Sequence, residues 1–220
     1  MSSPFWAANL LGMVALFIPA FLIFLRTIAS VEEQLEERKL YLACGGGAIF
    51  GTLAEVLILV GGFDLRSPEV GYASLLFVTP ALVSLFLWLG LRMRTFRDAR
   101  HAVFYAAGFG LFFGAAHEFW KLLVLEARLG GELPFPDGLL DVWFGLAATV
   151  LLGGMALHLM PALQRENGVR IAARLALLYL ILGFLRISAI ERSEPIIDVA
   201  TALAFTAAAA ATYQRGAAAL

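Results

Sequence analysis

The sequence predicts an all-α, polytopic membrane bundle of about seven transmembrane helices, N-terminus outside and C-terminus cytoplasmic. Three observations predict it. Hydrophobic residues make up 61% of the 220 residues and charged residues only 15%. Mean hydropathy is +0.85, and a soluble domain of this length has too little interior to hide so much apolar surface. Seven segments come near the roughly 20 apolar residues that a spanning helix needs, and lysine and arginine concentrate in alternate loops.

The first span is expected at 4–25. It has no basic residue before it and Arg26 after it, which favours an uncleaved span over a signal peptide. The stretch SVEEQLEERK (30–39) mixes charges with helix-forming residues and is expected to be a solvated helical connector. The second span, 40–62, contains Gly47-xxx-Gly51. The third, 70–91, contains Pro80, expected to kink it as Pro19 should kink the first. The fourth, 101–125, contains Gly110-xxx-Gly114; such spacing lets helix backbones approach closely. The fifth is expected at 138–163. The sixth, 170–187, and the seventh, 196–213, are the shortest. The longest loops are 26–39 and 126–137, so residues 1–220 read as a single membrane domain.

Orientation follows from charge. Arg26, Arg38 and Lys39 follow the first span. Arg92, Arg94, Arg97 and Arg100 follow the third, and Arg165 and Arg170 the fifth. These loops are assigned to the cytoplasm. Net charge is −1, and no basic arm or patch points to nucleic acid. The expected partners are membrane lipids and other membrane subunits. The single cysteine, Cys44, excludes an internal disulfide and a cysteine-based metal cluster.

The functional signal is the stretch HAVFYAAGFGLFFGAAHEFWKLLVL (101–125), which carries His117, Glu118 and Lys121 inside an apolar span. Ionisable groups at membrane depth are costly and usually face a protein interior or a wet cavity. Glu55 lies in the second span with no cation nearby in sequence, so it needs a partner on another helix or a proton. Asp141 opens the fifth span, Arg186 closes the sixth and Asp198 opens the seventh. On the predicted topology all lie within roughly 12 Å of the outer boundary. Gly110, Gly114, His117 and Lys121 share one helical face, bordered by Glu118.

This layer admits several chemistries. Glu55 and Glu118 are the candidate catalytic carboxylates of a hydrolase acting at the membrane surface. His117, Lys121, Asp141 and Arg186 are the candidate ligand-binding residues. Glu55, His117, Glu118 and Asp141 offer donors for a metal, although no HExxH or HxxxH pair is present. Haem is disfavoured because His117 and His158 stand roughly 18 Å apart along the membrane normal. A retinal Schiff base is disfavoured because the seventh span has no lysine.

The motif HEFWK (117–121) resembles the Glu-Glu-x-x-Lys motif of PrsW-type intramembrane proteases. Glu118 and Lys121 match it, and His117 takes the first Glu position. The family's later His-xxx-Asp motif has no counterpart, since Ala162 follows His158 by four. The stretch from GFGLFFGAAHEFWK to GLLDVWFGLAATVLLGG is similar to YjdF-type bacterial membrane proteins, with Glu118 and Asp141 at the matching positions. That resemblance implies a compact polytopic protein of unsettled activity; the expected location is a prokaryotic cytoplasmic membrane.

The leading expectation is therefore an integral membrane protein with a polar pocket near its non-cytoplasmic face, binding a small ligand, ion or lipid headgroup. The alternatives are an intramembrane hydrolase of lipid or peptide substrates, and a non-catalytic subunit of a membrane complex.

Overall fold

The computed structural model describes residues 5–61, 74–128, 137–165 and 195–218, with 169–171, 173, 176–177 and 179–180. Among the described residues all regular structure is helical. The long helices are α1 (Phe5–Ile28), α2 (Glu37–Val60), α3 (Thr79–Leu91), α4 (Ala102–Arg128), α5 (Asp137–Gln164) and α6 (Pro195–Ala217). Glu37–Val60, Ala102–Val124 and Leu139–Gln164 are long and apolar enough to cross a membrane, and Gly12–Ile28 and Leu76–Leu91 are shorter apolar helices. The described residues between 169 and 180 are also helical. The connector holds a 3-10 turn at Glu32–Gln34 before α2 begins at Glu37.

Pro80 stands at the start of α3, and a π-helical turn, Ser74–Val78, runs into it without a break. The wider π-turn accommodates the proline ring and its missing N–H within the continuing helical run. Pro19 lies inside α1.

α4 is the centre of the molecule, packing against α1, α2, α3 and α5, while α6 packs on α5. Glycines set these contacts. A Cβ on Gly47 would collide with the Phe109 carbonyl, and one on Gly51 with the Phe113 carbonyl. Both residue numbers rise together, so α2 and α4 run parallel. On the opposite side of α4 a Cβ on Gly110 would lie 2.6 Å from the Leu152 carbonyl oxygen, and one on Gly114 would lie 2.7 Å from Thr149 Cα. Here one number falls as the other rises, so α4 and α5 are antiparallel. Gly154 meets Tyr213, and Leu157 meets Gly216, making α5 and α6 parallel. Phe109 fills the middle: its ring lies against Gly46 of α2 and Gly90 of α3, edge-on to Phe50.

Burial is uneven. In the most apolar window of α2 only 33% is buried, against 78% in α4 and α5. Ile49, Leu53, Leu57 and Val60 leave α2 facing outward. Helix directions bring Arg26, Arg38, Lys39, Arg92, Arg94, Arg97, Arg100, Arg165 and Arg215 to one end of the bundle.

Substitution at glycine should separate seam from surface. Gly45 has nothing within 4 Å of an added Cβ, so Gly45→Ala should be neutral or stabilising by up to about 1 kcal/mol. Gly51→Ala forces α2 off the α4 backbone and should cost about 1–3 kcal/mol. Thermal unfolding of the two variants in the same detergent checks the difference in sign.

Candidate functional site

Each packing seam ends in an ionisable side chain. Gly47 and Gly51 step by four along α2, and the next step is Glu55. Phe109 and Phe113 step by four along α4, and the next step is His117. The register that sets glycine against phenylalanine therefore sets Glu55 against His117. Glu55 Oε2 lies 3.0 Å from His117 Nδ1. The carboxylate sits off the direction of a ring hydrogen bond, so the contact is electrostatic in character. The need of Glu55 for a partner on another helix is met by the imidazole.

The second seam delivers the second carboxylate. Gly110 and Gly114 face α5, and four residues on Glu118 packs against Gly145, where an added Cβ would lie 3.4 Å from Glu118 Cβ. By sequence alone the glycine face runs on to His117, with Glu118 at its border. In the structure Glu118 continues the glycine face toward α5, and His117 belongs to the Phe109–Phe113 face toward α2. The ridge of residues four apart follows each contact, and this separates the two neighbours.

Glu118 Oε1 is the meeting point of the cluster. It accepts a hydrogen bond from Lys121 Nζ at 2.9 Å and one from Tyr179 OH at 3.4 Å. It also lies 3.9 Å from His117 Nε2. Charge-assisted hydrogen bonds of this kind are the stronger ones in proteins. Glu55, His117 and Glu118 are at most 1% exposed, while the Lys121 side chain is 18% exposed. Among the described residues His117 Nε2 has no hydrogen-bond partner. Phe113 packs on the imidazole, and the Trp120 indole donates to Thr52 Oγ1 at 3.1 Å beside it.

The remaining expected residues fall as follows. Asp141 is half-buried in the first turns of α5, one turn before Gly145, so the antiparallel register puts it level with Leu122 and Lys121. Arg186 lies outside the described residues. Asp198 is in the first turn of α6. Among the described residues no group of three or more His, Cys, Asp and Glu side chains is arranged to hold a metal ion. Glu55 and Glu118 approach opposite nitrogens of the ring, whose lone-pair directions diverge, so they do not converge with one nitrogen on a common point. His158 is bonded to the Thr212 carbonyl at 3.1 Å on the α5–α6 seam.

Two clefts are described. One of about 340 Å³ is lined mainly by apolar residues of α1, α5 and α6, including Pro19, Trp143 and Ala209. The other, of about 500 Å³, is lined by Gln34, Glu36, Ala99, Arg100, His101 and Tyr105. Neither is lined by Glu55, His117 or Glu118. The cluster expected as the lining of a pocket is thus, among the described residues, a buried chain in which Lys121 reaches the surface. Sequence reasoning missed Tyr179. Its signal was a lone phenolic hydroxyl in the otherwise aliphatic run LALLYLILG.

Removal of the hub should cost more than removal of a spoke. Glu118→Ala strands Lys121 and should destabilise by about 3–5 kcal/mol. Tyr179→Phe deletes one long hydrogen bond and should cost about 0.5–1.5 kcal/mol. Unfolding of both variants in one detergent would give the ratio, and equal losses would remove Glu118 from the centre of the cluster. Comparison with known proteins finds no matching family model, no matching curated protein and no matching solved structure.

Proposed function

We propose that the chain is an integral membrane protein of seven spans, N-terminus outside, in a prokaryotic cytoplasmic membrane. Within it Glu55, His117, Glu118 and Lys121, with Asp141 at the same level and Arg186 from the sixth span, form a polar site near the non-cytoplasmic face. The site binds a small ion, namely a proton. Two features support the membrane arrangement. The basic residues gather at one end of the bundle, as the positive-inside bias requires. Parallel packing of α5 and α6, with helical residues among 169–180 between them, is consistent with a sixth span.

One observation carries the choice of ligand: an imidazole, itself buried, flanked by a carboxylate at each nitrogen, with Nε2 left without a hydrogen bond among the described residues. A buried polar atom in that condition calls for a bound water, ion or proton. Histidine is suited to exchange protons between flanking carboxylates. An imidazole between the carboxylates leaves them no shared face for a substrate, so binding is preferred over hydrolysis. Glu55 lies about 8 Å from the end of α2 at 1.5 Å per residue, a short path to the outer surface.

Thermal stability of the purified protein in lipid nanodiscs should change with pH between mildly acid and neutral solution. His117→Gln should keep the helical circular dichroism and abolish that dependence. Wild-type stability indifferent to pH would refute the reading.

A further inference from the structure

The cleft at the basic end of the bundle is separate from the buried cluster and takes a different ligand. We infer that it is a binding site for a phosphate-bearing group, presented by the headgroup of an anionic lipid or as free phosphate.

The cleft is built by two connections. Gln34 and Glu36 come from the segment between α1 and α2, and Ala99, Arg100, His101 and Tyr105 from the entry to α4. The two walls are joined where the Glu36 backbone N–H donates to the Tyr105 hydroxyl at 2.8 Å. Tyr105 is only 2% exposed, so this wall is anchored in the core. The cavity of about 500 Å³ falls in the range of small-ligand sites, about 300–1,000 Å³.

Its charges favour an anion. Glu36 is the one acidic residue in the lining, and Lys39 binds its carboxylate at 2.6 Å. Glu32, Glu33 and Glu37 of the same connector do not line the cleft. Among the nearby arginines, Arg92 lies over the Trp88 ring at 4.9 Å, and Arg97 pairs with Asp98 at 3.0 Å. Arg100 is exposed and has no ion-pair partner among the described residues. A guanidinium presents a planar fork that matches two phosphate oxygens. The half-buried His101 ring and the Gln34 amide add donors beside it.

Position indicates a lipid as the source. The cleft opens where α2 and α4 begin, at the end that carries the basic residues. Basic pockets between helices at a cytoplasmic membrane surface recognise anionic headgroups. The phosphate then sits at Arg100 and His101 while its glycerol esters lie along the helix ends.

Native mass spectrometry on the full chain, from nanodiscs of equal phosphatidylglycerol and phosphatidylcholine, tests this. The wild type should retain phosphatidylglycerol in preference, and Arg100→Gln should weaken that retention about tenfold, the loss of one charge-assisted contact. His101→Gln should weaken it less. Arg94→Gln, outside the cleft, should leave it unchanged, which separates the site from general surface attraction. Displacement of the lipid by added inorganic phosphate would assign recognition to the phosphate alone. Retention in its presence would assign it to the whole headgroup. Equal retention by wild type and Arg100→Gln, or no preference for the anionic lipid together with no phosphate binding, would overturn the inference.

Discussion

The close approach of α2 to α4 is the constraint on which the site depends. Gly47 and Gly51 leave no room for a side chain against the carbonyls of Phe109 and Phe113. At that separation the next residues in register, Glu55 and His117, come within 3.0 Å. Any bulk in the seam would push the helices apart and strand a carboxylate among apolar side chains, a costly state in a protein interior. Packing therefore comes first in the causal order, and the acid–imidazole contact follows from it. The α4–α5 seam works in the same way, with Gly110 and Gly114 leading to Glu118 beside Gly145.

The two seams leave α4 as the helix that carries the chemistry. It is buried on several sides, and its polar residues are met from α2, from its own next turn and from Tyr179, with His117 Nε2 left without a hydrogen bond among the described residues. α2 is different: one face is committed to α4, and the rest is apolar and outward. That distribution suits a helix between a protein core and hydrocarbon. The charge distribution has the same polarity as the packing. The cluster lies toward the ends of α2 and α4, and the basic rim with its cleft lies at their beginnings.

Much of this was legible in the sequence, for identifiable reasons. Long apolar runs bounded by charge give helix positions, and the ends of α1, α2, α4 and α5 fall within about three residues of expectation, the usual fuzziness of helix ends. The isolation of Glu55 from any local cation made a partner on another helix necessary. The pairing itself was not legible. Residues 117 and 118 both lie near the face of Gly110 and Gly114, and only the crossing of two particular helices decides which of them continues it. Tyr179 was hidden because it is 61 residues from Glu118, and its lone hydroxyl in an aliphatic run does not say which helix it meets. The π-turn before Pro80 was not legible because it has no sequence pattern of its own.

The repeat of four along α2 has one more consequence. Sliding α2 by a turn along α4 would leave Gly51 facing Phe109, but it would bring Glu55 to the Phe113 carbonyl, where there is no space for a Cβ. It would also take the Glu55 carboxyl away from the imidazole and set it among apolar side chains. The order glycine, glycine, acid along one face therefore admits a single alignment of the two helices.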